Sequence, residues 1–337
     1  MRTVTYKSVQ DAVAGFLGWD ANNLSRDDQA VINRHLNRRL QFAWEAFWWP
    51  ELTVCEKRLF RVPWDAVTNF TATTQVYDFN SQAYYIALQA GANHPPTDAN
   101  LVVNLAYWAL AVSSYNGSAA YVNTTAYVQG NTVYYPPTDS YYQLYAATST
   151  GNLPTDTTKW GVIVPFERTI DYVQSGKTVI GELKQAWSAD PRATPNCARR
   201  LQSYLQDNGV RIGGTETVVW LEFRQRTPGW TGAVYTSGTY AAGTQVYWTD
   251  GDYYQATTST SNPPSTTSDW TRINLPYVLS KYAAQGAYAD TLGKSEGKPE
   301  QLPGASDEAF AVLEFEWDKI ERQQAQDSQL NVITSTH

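Results

Sequence analysis

Few residues in this chain could do covalent or metal chemistry. There are three histidines, His35, His94 and His337. His35 falls in a helical pattern among arginines, and His94 precedes a Pro95-Pro96 turn. Neither has a Cys or His at ligand spacing, so no zinc site and no Ser-His-Asp arrangement is indicated. Cys55 and Cys197 are far apart and in no CxxC spacing. That leaves one long-range disulfide or, as expected for a chain made in a cytoplasm, two reduced thiols. The acidic pairs Asp27/Asp28 and Glu314/Glu316 fall on helices expected to be exposed. There they cannot supply the buried, pKa-shifted acid that glycoside hydrolysis needs. Asp250 and Asp252 flank a turn glycine, which is ordinary turn chemistry. GxxxxGK[ST] and GxGxxG are both missing. No catalytic, cofactor-binding or metal-binding residue is assigned, and the expectation is a protein that is not an enzyme and holds no cofactor.

What remains is aromatic. Tyrosine doublets stand at Tyr84-Tyr85, Tyr141-Tyr142 and Tyr253-Tyr254. Successive strand residues point to opposite faces, so one ring of each doublet packs inward and the other outward. The inward set, Tyr142 and Tyr254, joins Trp108, Trp160 and Trp270 as the expected core of three small modules. The outward set is Tyr84, Tyr141 and Tyr253. Flat exposed rings are what sugar faces stack on, with Ser, Thr, Asn and Asp nearby to bond hydroxyls. The competing reading is that the outward rings pack on a neighbouring chain.

The doublets belong to a repeat. Its copies read Val76-Tyr77…Tyr84-Tyr85…Trp108, Val133-Tyr134…Tyr141-Tyr142…Trp160 and Val246-Tyr247…Tyr253-Tyr254…Trp270. The valine precedes the doublet by eight, eight and seven residues. Each copy reads as strand, turn, strand, Ser/Thr/Pro loop and closing Trp. A single hairpin is too small for a large core, so each copy must lean on its Trp and Tyr side chains or on a scaffold.

Helical patterns flank the repeats. Ser8–Phe16 forms a short helix. Ser25 caps a second, with Asp27 and Asp28 in its first turn, Ile32, Leu36, Leu40, Ala43 and Phe47 along one face, and Pro50 as its stop. Near the other end, Tyr277–Leu292 is rich in small residues that permit close helix approach, with Gly293, Gly297 and Pro299 breaking it. Ser306 caps a last helix with a narrow seam of Phe310, Leu313, Trp317 and Ile320, suited to a partner helix. Between the second and third copies, Cys197–Leu205 reads as a mixed helical run and Thr215–Arg224 as a strand. The reading is therefore a discontinuous scaffold, 1–65 plus 165–232 plus 275–337, of ordinary single-domain size. It is interrupted by modules at 66–115 (degenerate), 116–164 and 233–274.

Charge adds a constraint. A net charge of −7 and a pI near 5.1 argue against a protein that coats duplex nucleic acid. The signs are segregated: Arg34, Arg38 and Arg39 lie near the start, and Glu314, Glu316, Asp318 and Glu321 near the end. Opposite signs at opposite ends can mate between subunits, or each run can be a solvated helix face. No window of about 18 apolar residues exists and the start lacks a signal-peptide core, so no membrane association is expected.

Two family resemblances follow from these residues. The repeats resemble small chitin- and cellulose-binding modules, carried best by Gly243, Val246, Tyr247, Gly251, Tyr254, Ala256 and Trp270, less well by Gly130, Val133, Tyr134, Tyr142 and Trp160. Leu144 departs from the usual Ala, and the first copy lacks the glycines. The resemblance implies glycan stacking by Tyr253 and Trp248, with Trp270 structural. The rest is similar to tailed-bacteriophage head-to-tail adaptors. That rests on Leu40–Leu52, Asp190-Pro191, Val218–Pro228, Leu275-Pro276 and Lys319–Gln324, in that order. It implies a structural virion protein, assembled in the host cytoplasm as a twelve-fold homo-oligomeric ring. Such a ring joins portal and neck or tail proteins and passes packaged DNA without specific binding. Arg34, Arg38, Phe310, Leu313, Trp317 and Ile320 are its candidate portal or subunit contacts, and a host glycan is a candidate ligand of the modules. The expected fold is α+β, a helical adaptor scaffold of N- and C-terminal helices plus a small β-sheet, with inserted small all-β modules. The alternative is a secreted or cell-surface polysaccharide-binding accessory protein.

Overall fold

The computed structural model describes residues 2–174, 176–194, 196–294 and 304–333, the last stretch from 323 as helix backbone. His337, Gly297 and Pro299 lie outside the described residues. The chain divides into two compact units, residues 1–53 with 224–337, and residues 54–223.

The first unit is built from both ends of the chain. Helix α1 (Tyr6–Phe16) starts where the Thr5 hydroxyl accepts the Ser8 N–H at 3.2 Å. Helix α2 (Arg26–Ala46) starts at Ser25, whose hydroxyl accepts the Asp28 N–H at 3.1 Å. Two acids in that first turn face the positive end of the helix dipole. Helix α3 (Tyr277–Lys294) runs past Gly293, and α4 (Ala305–Ile333) carries Asp307 and Glu308 in its first turn. Ile32, Leu36 and Leu40 of α2 are buried with Ala283, Ala287 and Ala289 of α3 in one core. A Cβ on Gly286 would sit 2.8 Å from the Arg39 side chain, so the bare backbone there lets Arg39 through. Arg39 then grips Asp290 with two N–H groups, Nε at 2.9 Å and Nη2 at 2.6 Å, the strong fork geometry.

The expected helical scaffold is overturned. Among the described residues about 21 short, mostly antiparallel strands dominate, and four helices hold 23% of the chain, so the fold is β-rich. The difference arises in the middle. Cys197–Leu205 contains a turn and the strands Arg200–Leu201 and Ser203–Leu205, not a helix. Leu201 and, after a hairpin, Val210 and Ile212 point into one β core at alternate positions, a period of two. Strands Arg200–Leu201, Ile180–Trp187, Val218–Gln225 and Thr53–Leu59 form a four-stranded sheet in that order. Thr169–Asp171, Gly209–Ile212 and Ser203–Leu205 form a second sheet. The segment 165–223 thus lies with the first two repeat copies, whereas the third copy lies with the helices.

The three copies match residue for residue. Val76 pairs with Tyr85, Val133 with Tyr142 and Val246 with Tyr254; Tyr77 pairs with Tyr84, Tyr134 with Tyr141 and Tyr247 with Tyr253. The closing Trp108, Trp160 and Trp270 pair with Ala87, Leu144 and Ala256. Each copy also begins earlier than the doublets suggest, on a parallel contact. The N–H of Trp64, Tyr121 and Tyr235 donates to the carbonyl of Tyr77, Tyr134 and Tyr247 at 2.8, 2.8 and 2.9 Å. The first copy, degenerate in sequence, is complete in structure.

Where the second and third copies place Gly130 and Gly243 at φ of 90° and 86°, the first has Thr73 at 71°. All three N–H groups donate to the equivalent carbonyls of Leu144, Ala256 and Ala87. A β-branched residue in the left-handed region is strained by roughly 1–2 kcal/mol, and Thr73 is exposed with no packing to compensate. Thr73→Gly should therefore stabilise the chain by roughly 0.5–1 kcal/mol despite glycine's entropy cost. Denaturant unfolding would register this as a higher midpoint at unchanged slope; a lower midpoint would mean that the strain is absent.

Candidate functional site

Each module sheet has two faces. The inner face carries the core expected from sequence: Trp108 with Tyr85, Trp160 with Tyr142, and Trp270 with Tyr254, all buried. The outer face carries the cross-strand pairs Tyr77/Tyr84, Tyr134/Tyr141 and Tyr247/Tyr253. It is the outer face that was expected to meet glycan.

That expectation is corrected for Tyr84 and Tyr253, each 4% exposed. Tyr84 stacks on Phe166 with ring centroids 4.6 Å apart. Its hydroxyl accepts the Phe60 N–H at 3.0 Å and donates to the Thr217 carbonyl at 2.6 Å. Tyr253 meets Tyr6 of α1 edge-on at 4.9 Å. Next to it, the Asp252 carboxylate accepts the Lys7 N–H at 2.9 Å, satisfying a free donor in the first turn of α1. Burial against a body rules out sugar stacking at both rings. Tyr141 is half-buried, beside Tyr115 and Tyr134 and next to the core shared by the first two copies, Ile86, Leu88, Ala109 and Ile163. A Cβ on Gly161 would lie 2.6 Å from Leu88 Cβ, so a bare backbone makes that seam possible.

Rings reachable by solvent also lie on the inner side. In the second copy Tyr121 stacks on Tyr127 at 5.6 Å and meets Tyr135 edge-on at 5.9 Å. In the third, Tyr235 stacks on Tyr240 at 5.4 Å and meets Trp248 edge-on at 5.1 Å. Tyr135 and Trp248 hold equivalent places and both are half-buried. The N–H groups of Val122 and Thr236 donate to the hydroxyls of Tyr127 and Tyr240 at 2.8 and 3.0 Å, fixing both stacks alike. Beside Trp270, Thr260, Asn262 and Ser268 all donate to Asp269 and hold its carboxyl below the usual range. Trp248 was among the expected rings. Tyr135 was not, although it follows Tyr134 as Trp248 follows Tyr247.

The expected contact residues of the helices divide in two. Arg34 and Arg38 are exposed on α2, and Phe310 is 36% exposed on α4. Leu313 and Ile320 are 5% and 7% exposed, buried in the helical core of their own chain. Trp317 lies against Tyr282 at 4.8 Å, Phe42 at 5.2 Å and Phe47 at 5.5 Å. That seam packs against α2 and α3, so Leu313 and Ile320 are covered within their own chain, while Trp317 stays half-buried. The sequence reading missed two apolar rings left outside, Phe42 at 55% and Phe315 at 56%.

No group of three or more His, Cys, Asp or Glu able to hold a metal occurs among the described residues. His94 stacks on Tyr107 at 3.6 Å and its carbonyl accepts the Trp108 indole N–H at 2.8 Å, a structural place. His35 is buried in the helical core, 3.7 Å from Asp290. Both cysteines are free thiols. No family model matches the chain, and no curated protein sequence matches it.

Burial pushes the Tyr84 and Tyr253 phenols from 10.0 up to about 12, and for Tyr253 the Tyr247 phenol adds to it. A raised phenol contributes stability that is complete below 10.0 and lost as pH rises through about 12. Denaturant melts across that alkaline window should show stability falling. Tyr84→Phe should lose about 1–3 kcal/mol at neutral pH, because the buried Phe60 N–H and the Thr217 carbonyl lose their partner, and should show a shallower alkaline fall. Phenols that all ionise near 10.0 in the folded chain would contradict the buried placement.

Proposed function

We propose that this protein is a structural component of a virion, a head-to-tail adaptor that forms a ring between portal and neck or tail. It acts without catalysis or a cofactor. The ring lets packaged DNA pass without specific binding, and it is assembled in the host cytoplasm. The observation that carries the reading is that the two ends of the chain, where most of the adaptor-like segments lie, converge in one helical core. The β copies are inserted between those ends and serve as decoration. The acidic total suits a channel that repels its cargo.

A second reading, polysaccharide binding, is favoured by the equivalent half-buried rings of Tyr135 and Trp248. It is compatible with the first, since decoration modules can hold a host glycan, and as the whole function it leaves the helical core without a purpose.

Light scattering and negative-stain imaging of the purified chain, with and without portal protein, test the choice. A ring, alone or on portal, is the expected result. A single 37.7 kDa chain that ignores portal and is retained on chitin or cellulose, with retention lost in a Tyr135→Ala/Trp248→Ala variant, would put the second reading first.

A further inference from the structure

The outward faces of α2 and α4 each carry a pair of charges, of opposite sign and at the same spacing, although exposed Asp27 and Glu45 flank the pair on α2 and exposed Lys319 and Arg322 follow the pair on α4. On α2, Arg34 and Arg38 are both exposed and four residues apart. On α4, Asp307, Glu314 and Asp318 are exposed, with Glu314 and Asp318 also four apart. At 3.6 residues per turn these α4 positions form one stripe, and a four-residue step on either helix spans about 6 Å. Two cations on one helix can therefore meet two carboxylates on the other in register.

No described ion pair involves Arg34, Arg38, Glu314 or Asp318, whereas neighbouring Arg39 is fully engaged by Asp290. Each charged stripe also has a partly exposed apolar ring beside it, Phe42 packed on one side by Trp317 and Phe315 beneath the Lys319 ammonium. Phe42 lies one turn after Arg38 and is 55% exposed; Phe315 follows Glu314 and is 56% exposed. Exposed ion pairs contribute little alone, about 0–1 kcal/mol each, so burial of these rings is what a stable contact would add.

We propose, resting on the adaptor reading, that the α2 face centred on Arg34 and Arg38 docks on the α4 face centred on Glu314 and Asp318 of a second copy of this chain. Two different patches meet, so the contact is head-to-tail, the kind of contact whose repetition builds a ring when its rotation closes. Charge sets register and partner, while Phe42 and Phe315 lose water at the joint. The same outward arginines could instead meet the portal, and the test separates these occupants.

The full chain is made as Arg34→Glu/Arg38→Glu, as Glu314→Arg/Asp318→Arg, and as the fourfold variant. Mass is read by light scattering, and folding by circular dichroism and thermal melting. Each twofold variant should fall from the assembled mass to a single 37.7 kDa chain with unchanged melting. The fourfold variant should assemble again. Mixing the two twofold variants should also restore assembly, since the acidic α2 of one then faces the basic α4 of the other. Should a twofold variant fold poorly, wild-type assembly that fails to dissociate as ionic strength rises past the screening range would count against the contact. Twofold variants that assemble like wild type, or that stay single in the mixture and the fourfold form, would overturn the proposal and leave the adaptor reading standing. A wild-type chain that remains single with and without portal would remove both.

Discussion

A three-stranded sheet with strands of three to five residues has two faces and side chains enough to cover one of them. Most of the β-rich architecture depends on that constraint. Tyr85, Tyr142 and Tyr254 seal the inner face with a Trp, an aliphatic residue and a strap of aromatic rings. The outer face must be covered by something else. In the first copy Phe60 and Phe166 of the small β body do it, and in the third copy Tyr6 of α1 does. In the second copy the first copy does it, through Leu88 and Gly161. Burying one large ring contributes on the order of 1.5–3 kcal/mol, enough to make each joint a fixed one.

The outer tyrosines therefore act as joints between modules and bodies. This also explains why the three copies differ where they do. The turn before the doublet holds Gly251 in the third copy, where a Cβ would lie 2.3 Å from Lys7, and Asp139 in the second, whose carboxylate accepts the Tyr134 hydroxyl at 2.7 Å. On the opposite side Tyr135 and Trp248 stay half-buried at the edge of their module cores. A module attached through one face and open on the other suits a decoration that leaves the helical core free to assemble.

Local physics made much of this legible in the sequence. Ser25, the α2 stripe from Ile32 to Ala43 and the small residues of α3 announce their helices, because capping and periodicity are short-range signals. The Val–Tyr ladder and the closing Trp announce the copies. What was not legible depends on contacts distant in sequence. Alternation shows that Tyr84 and Tyr253 leave the module core, yet cannot say whether water or another element waits there. The Phe310–Ile320 seam likewise names a helix-packing face without saying that its partner lies in the same chain. The run 197–205 was misread because its apolar residues are too sparse to distinguish a period of 3.6 from one of two.

The most direct test of the outer tyrosine as a joint is hydrogen–deuterium exchange on the full chain carrying Tyr253→Ala. If the ring fastens the third copy to the helices, exchange should quicken in α1, in the first half of α2 and in the strand Tyr253–Ala256, and stay unchanged in the first two copies. Faster exchange confined to 233–274, with α1 and α2 as protected as in the unaltered chain, would contradict the joint.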